Sequence, residues 1–93
     1  MKLADIGYGN YVASDKVLAV CAPDAAPVKR LVAEAKDNGR AIDVTCGKKT
    51  KSVILTENGA VLLCALVPEK VAERISGDDT AEKNDTEPRV RNL

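Results

Sequence analysis

The densest grouping of chemically active side chains is Lys48-Lys49-Thr50-Lys51, three ammonium groups and a hydroxyl in four residues directly after Gly47. Lysines in such a run hold phosphate oxygens through charge-assisted contacts, and a threonine hydroxyl with exposed backbone N–H groups adds hydrogen bonds. The same composition has a plainer use, because solvated lysines at a strand end guard a sheet against unwanted edge pairing. Other bases stand apart, Lys16 after Ser14-Asp15 and Lys29-Arg30 soon after Pro27. The latter pair falls near an expected helix start, where the dipole favours an anion or where the two side chains would help hold a subunit interface. Tyr8 and Tyr11 flank a glycine turn and are able to stack on a base, although packing over the turn or at an interface is the commoner use of such residues.

Other chemistries are poorly served. The chain has no histidine, so the commonest general base is missing, and no carboxylate pair is embedded in an apolar stretch that would raise a pKa. Asp43 is an acid within an expected strand and reads as a turn or strand-edge partner. Cys21, Cys46 and Cys64 form no C-x-x-C or Cys/His zinc pattern, and Cys21 and Cys64 sit in apolar runs as small hydrophobes. Gly7-Tyr8-Gly9 fails as a dinucleotide fingerprint because Val12 stands where the third glycine belongs. Gly47-Lys48-Lys49-Thr50 fails as a P-loop because the preceding glycine is Gly39, too far back. No enzyme activity, metal or small-molecule cofactor is expected.

The elements that must position these residues belong to a short chain of 93 residues, 45% hydrophobic and 30% charged, enough for a single globular domain. With two tyrosines and no Phe or Trp, its core must be built from Val, Leu, Ile and Ala. Formal charge is zero, but residues 1–76 hold eleven bases against nine acids and residues 77–93 three against five. Net charge alone therefore announces no polyanion partner. No leader pattern opens the chain and no apolar run approaches the length of a membrane span, which makes the cytoplasm, with reduced thiols, the expected location.

The pattern predicts an α+β fold, a small β-rich sheet domain with one amphipathic helix and a short C-terminal helix. Strands over Leu3–Ile6 and Tyr11–Ala13 flank the glycine turn, and Val17–Ala22 reads as a buried strand. Asp24 is placed as an N-cap, with Pro27 in the first turn, and Val28, Leu31, Val32 and Ala35 form an apolar stripe that ends at Gly39. A strand follows over 41–45. Asn58-Gly59 between two apolar runs predicts a two-residue type I′ hairpin, opposing Leu55 to Leu62, Val53 to Cys64 and Ile54 to Leu63. Pro68 starts the second helix, with Val71, Ala72 and Ile75 on one face. Residues 1–76 are thus the domain, and 77–93 an acidic tail too polar to order itself. Several strands are apolar on both faces, so a second covering layer must come from the short helix or from another copy of the chain; association is the expected outcome.

Four blocks carry a family resemblance. Ile6-Gly7-Tyr8-Gly9-Asn10, Ala22-Pro23-Asp24-Ala25-Ala26-Pro27-Val28-Lys29-Arg30, Ile42-Asp43-Val44-Thr45 and Gly47-Lys48-Lys49-Thr50-Lys51 resemble, in order and spacing, the RemA-like extracellular matrix regulatory family of bacteria. The resemblance covers about residues 3–76. It implies a transcriptional regulator of extracellular matrix or biofilm genes, associated with the nucleoid, that binds double-stranded DNA. It further implies a region similar to LytTR-type DNA-binding domains and a homo-oligomeric ring, octameric in the family. DNA contacts carried over from the family fall on Lys16, Lys48 and Lys49, with Lys51, Lys29 and Arg30 as further candidates from the residues themselves. Lysine stands here where the family often has arginine, which suits phosphate contact better than bidentate guanine recognition. The competing expectation is the same ring used as a scaffold, its lysines docking an acidic protein without nucleic-acid affinity.

Overall fold

The computed structural model describes residues 2–77. The chain forms β1 (Leu3–Gly7), β2 (Asn10–Ala13), a 3-10 turn (Ser14–Lys16), β3 (Val17–Cys21), α1 (Ala26–Asp37), β4 (Ala41–Asp43), β5 (Ser52–Thr56), β6 (Val61–Cys64) and α2 (Pro68–Ser76). This is the expected small α+β architecture. Strands β3-β5-β6-β4 make one sheet, in which β4 runs parallel to β6 and the other pairs are antiparallel. Strands β1 and β2 make a separate ribbon. No helix among the described residues is long and apolar enough to cross a membrane. The expected acidic tail lies, beyond Gly77, outside the described residues.

The ribbon closes through Tyr8 (φ 56°) and Gly9 (φ 80°), two consecutive left-handed residues that give the type I′ geometry suited to strand twist. The Asn10 amide nitrogen donates to the Gly7 carbonyl at 3.0 Å and fixes the turn. Tyr8 and Tyr11 remain 50% and 61% exposed; Leu66, not a tyrosine, lies over Gly7.

The β5–β6 hairpin departs from expectation by one residue. Its loop is Glu57-Asn58-Gly59 rather than Asn58-Gly59, with the Thr56 N–H donating to the Ala60 carbonyl at 3.2 Å and Gly59 at φ 89°. Three-residue loops ending in a left-handed glycine are the next commonest hairpin type. Here the Asn58 side-chain oxygen accepts from the Thr56 hydroxyl at 2.7 Å and from the Ala60 N–H at 3.3 Å, tying the longer loop together. The register therefore opposes Val53 to Leu63, Ile54 to Leu62 and Leu55 to Val61. Because side chains alternate, the one-residue shift exchanges the faces of β6.

That exchange sorts the core into two layers. Val53, Val61 and Leu63 face α1 and pack with Ala35, Val28, Leu31 and Val32. Ile54, Leu62 and Cys64 face the ribbon and α2, packing with Ala4, Ile6, Val12 and Val71. The chain covers both sheet faces itself, so the two-faced strands do not by themselves call for a second copy. The Cys64 thiol donates to the Ile6 carbonyl at 3.2 Å, and the buried Ser52 hydroxyl donates to the Leu66 carbonyl.

Helix α1 is not capped by Asp24. Ala25 occupies the N-cap without a side-chain bond, and Pro27 sits in the first turn, where its missing N–H leaves no orphan donor. At the other end the Arg40 N–H donates to the Ala35 carbonyl at 2.8 Å and the Gly39 N–H to Lys36 at 3.3 Å, a Schellman arrangement that requires the left-handed Gly39 (φ 72°). Helix α2 is anchored by Arg74, whose Nη1 donates to the Asp5 carbonyl at 3.0 Å.

Ile54 is fully buried at the centre of the sheet. Ile54→Ala is expected to lower unfolding free energy by about 2–5 kcal/mol, read from urea denaturation; a loss below about 1 kcal/mol would contradict this packing.

Candidate functional site

The lysine cluster lies on the connection from β4 to β5, which is anchored at both ends. Asp43, the last residue of β4, accepts from the Thr45 N–H at 2.9 Å and the Thr45 hydroxyl at 2.6 Å. Those two bonds, the hydroxyl foremost, hold the Asp43 carboxyl below its ordinary pKa; desolvation opposes them, and the charge of Lys36 adds a lesser pull in their direction. Thr45 is itself buried, and its carbonyl accepts from the Lys48 N–H at 3.1 Å, closing a turn through Cys46 (φ 55°) and Gly47 (φ 81°). At the far end the Lys51 N–H donates to the Cys64 carbonyl at 2.8 Å, extending the β5–β6 ladder. Lys48, Lys49 and Lys51 are exposed between and at these anchors, with Cys46 exposed on the turn.

Helix α1 adds charge to the same end of the sheet. Lys29 and Lys36 line a groove of about 180 Å³ with Thr50, over a floor that includes Val32, Val53 and Leu63. Lys36 was not among the sequence candidates. Its signal was available, since Lys29 and Lys36 are seven residues apart and share a helix face. Arg30 is set about 100° further round the helix than Lys29 and is exposed outside this groove.

Lys16 is placed elsewhere. Its carbonyl accepts from the Glu57 N–H at 2.9 Å and its ammonium lies 3.9 Å from the Glu57 carboxylate, at the hairpin end of the sheet. Both side chains are more than half exposed, so the pair restrains Lys16 weakly. Lys16, beside Glu57, lies six strand positions from Lys51, roughly 20 Å at about 3.3 Å per residue. Around Lys16 is a cleft of about 520 Å³ whose walls include Tyr11, Glu57 and Asn58. The sequence candidates thus fall into a loop group with Lys29 nearby, a distant Lys16, and an outward Arg30.

The site is thus a set of exposed lysines on a doubly anchored loop of a small α+β domain. The model of the RemA-like family, extracellular matrix regulatory protein A-like, matches residues 3–75, and the chain belongs to this family. A relative from Lachnoclostridium phytofermentans with the printed name "Putative regulatory protein" is 46% identical over 84 residues, covering 90% of this chain and 92% of that one. A protein of the same printed name from Dictyoglomus thermophilum is 44% identical over 84 residues, 90% of this chain and 99% of its own. A Synechococcus elongatus relative is 48% identical over 73 residues, 78% and 84% of the two chains.

The Asp43–Thr45 anchor makes the loop sensitive to acid. Folded Asp43 binds its proton less readily than an unfolded aspartate, so its contribution is present above the ordinary aspartate pKa and is lost as pH falls through the lowered folded value. The Thr45 amide resonance is expected to shift on acidification with a midpoint below the usual carboxylate range, and to lose that titration in Asp43→Asn. An unchanged titration in the variant would show that another group controls the loop.

Proposed function

We propose that the protein is a homo-oligomeric, DNA-binding transcriptional regulator acting at the nucleoid, its lysines gripping the phosphate backbone of duplex DNA. The observation that carries the reading is the β4–β5 loop, where exposed Lys48 and Lys49 are held between the Asp43–Thr45 bonds and the Lys51–Cys64 bond. A pre-ordered loop loses little entropy when it meets its ligand. Membership of the RemA-like family and the regulatory names of the relatives support a regulatory role, and the family description points to extracellular matrix genes as the controlled set.

The chemistry follows from the side chains. Lysine is a point charge without the planar fork that reads guanine, so contacts fall on phosphates, and sequence preference arises from DNA shape and deformability. Lys29 and Lys36 extend the loop's positive surface, while Lys16 is roughly 20 Å away along the sheet. A charge of only +2 on residues 1–76 becomes sufficient when copies repeat around a LytTR-like ring, octameric as in the family, and the lysines merge into a band.

The test is fluorescence anisotropy of an AT-rich duplex at several salt concentrations, with oligomer mass checked for every variant. Each phosphate contact removed lowers the steepness of log K against log salt by about 0.9, so Lys48→Ala/Lys49→Ala is expected to lose about 1.8 per engaged copy and Lys16→Ala about half as much. Arg30→Ala is expected to change binding least. Wild-type protein that ignores DNA at low salt while remaining oligomeric would overturn the reading and leave a protein-docking scaffold.

A further inference from the structure

The cleft of about 520 Å³ beside Lys16 enters the proposed function only through that one ammonium. It lies between the end of the ribbon, which supplies Tyr11, and the β5–β6 hairpin, which supplies Glu57 and Asn58. Its volume is that of a small-molecule site. Among the described residues the cleft is open, since Tyr11 and the side chains of Lys16 and Glu57 are each more than half exposed. Its frame is nonetheless fixed. The Glu57 N–H donates to the Lys16 carbonyl at 2.9 Å, which keeps the two residues side by side, and the Asn58 oxygen accepts from the Thr56 hydroxyl at 2.7 Å, which holds the hairpin wall.

Three groups in this cleft select a ligand. The ring of Tyr11 offers a face on which a flat heterocycle stacks. The Lys16 ammonium, a donor, and the Glu57 carboxylate, an acceptor, lie 3.9 Å apart. A cation would be repelled by Lys16 and an anion by Glu57, whereas a neutral ring carrying an acceptor beside donors satisfies both. The Watson–Crick edge of guanine is such an edge, with O6 next to N1–H and the N2 amine. Two adjacent N–H groups suit the two oxygens of a carboxylate and O6 suits an ammonium, and all these bonds are charge-assisted. Adenine presents one donor and one acceptor and leaves a carboxylate oxygen unmatched; cytosine does the same on a smaller ring. Parting Lys16 from Glu57 to admit the base costs little, because an ion pair this exposed is weak.

We infer that this cleft binds an unpaired guanine base, stacked on Tyr11 with O6 at Lys16 and with N1 and N2 at Glu57. A free guanine nucleotide and a guanine in an unpaired strand share that edge and that chemistry. In a duplex the same edge is taken up by base pairing, so the site is distinct from the phosphate contact proposed above and does not rest on it. The two ligands have only the Lys16 ammonium in common, and they compete for it.

Tyrosine emission tests this, because the chain has two tyrosines and no tryptophan, and Tyr8→Phe leaves Tyr11 as the one fluorophore. Titrated without duplex DNA and corrected for nucleotide absorbance, that variant is expected to show saturable quenching by GMP, with AMP binding at least about tenfold more weakly and IMP, which lacks the N2 amine, in between. Adding Glu57→Gln is expected to remove most of the preference for GMP while circular dichroism and AMP binding stay as they were. Saturation-transfer NMR of GMP with the wild-type chain gives a second reading that depends on no variant. A thymine oligomer carrying one guanine, titrated beside GMP, separates the sources: saturation by GMP alone assigns the site to free nucleotides, by the oligomer alone to unpaired strands, and by both to any exposed guanine edge. Saturation by neither would overturn the inference, as would equal binding of GMP and AMP or a preference that survives Glu57→Gln. Salt-dependent duplex binding, measured separately, stands or falls by itself.

Discussion

The register between β5 and β6 is the constraint on which the rest of this molecule depends. It is set by the three-residue loop Glu57-Asn58-Gly59, whose extra residue is held by the Asn58 side-chain oxygen. Once Val53 stands opposite Leu63 and Ile54 opposite Leu62, one face receives α1 and the other receives the ribbon and α2. The same ladder continues past the last residues of the pair into the Lys51–Cys64 bond, so the lysine loop takes its position from the sheet's central hairpin. A slip of one residue on β6 would send Leu62 and Leu63 each to the wrong layer.

What was legible in the sequence is what local chemistry decides. The stripe Val28, Leu31, Val32 and Ala35, the stop at Gly39, the proline-led second helix and the glycine turn after β1 all appear where residue types demand them. The hairpin loop was misread because Asn58-Gly59 satisfies two turn types, and only the bonds to Thr56 and Ala60 select between them. Asp24 has the chemistry of a cap, yet the helix begins two residues later, with Ala25 in the capping place. The parallel pairing of β4 with β6 is a non-local choice that no window of sequence contains.

The candidate site divides along the same line. The lysine run is visible as composition, and Asp43 as a local turn partner, here for Thr45, but the second restraint, Lys51 bonding Cys64, joins distant groups and appears only in three dimensions. Lys36 was readable from its spacing to Lys29, whereas the separation of Lys16 from the loop depends on strand order. A core free of Phe and Trp still encloses both faces of the sheet because two helices and a ribbon share the work.

The contact between β1 and α2 has a consequence for how the chain is made. Arg74 reaches back 69 positions to the Asp5 carbonyl, and the ribbon residues Ala4, Ile6 and Val12 share a core with Val71. During synthesis the ribbon emerges well before the helix that helps cover it, and closing so long a loop is slow compared with forming α1. Until α2 leaves the ribosome, the ribbon's apolar side lacks part of its cover and is open to chaperones or to another nascent chain.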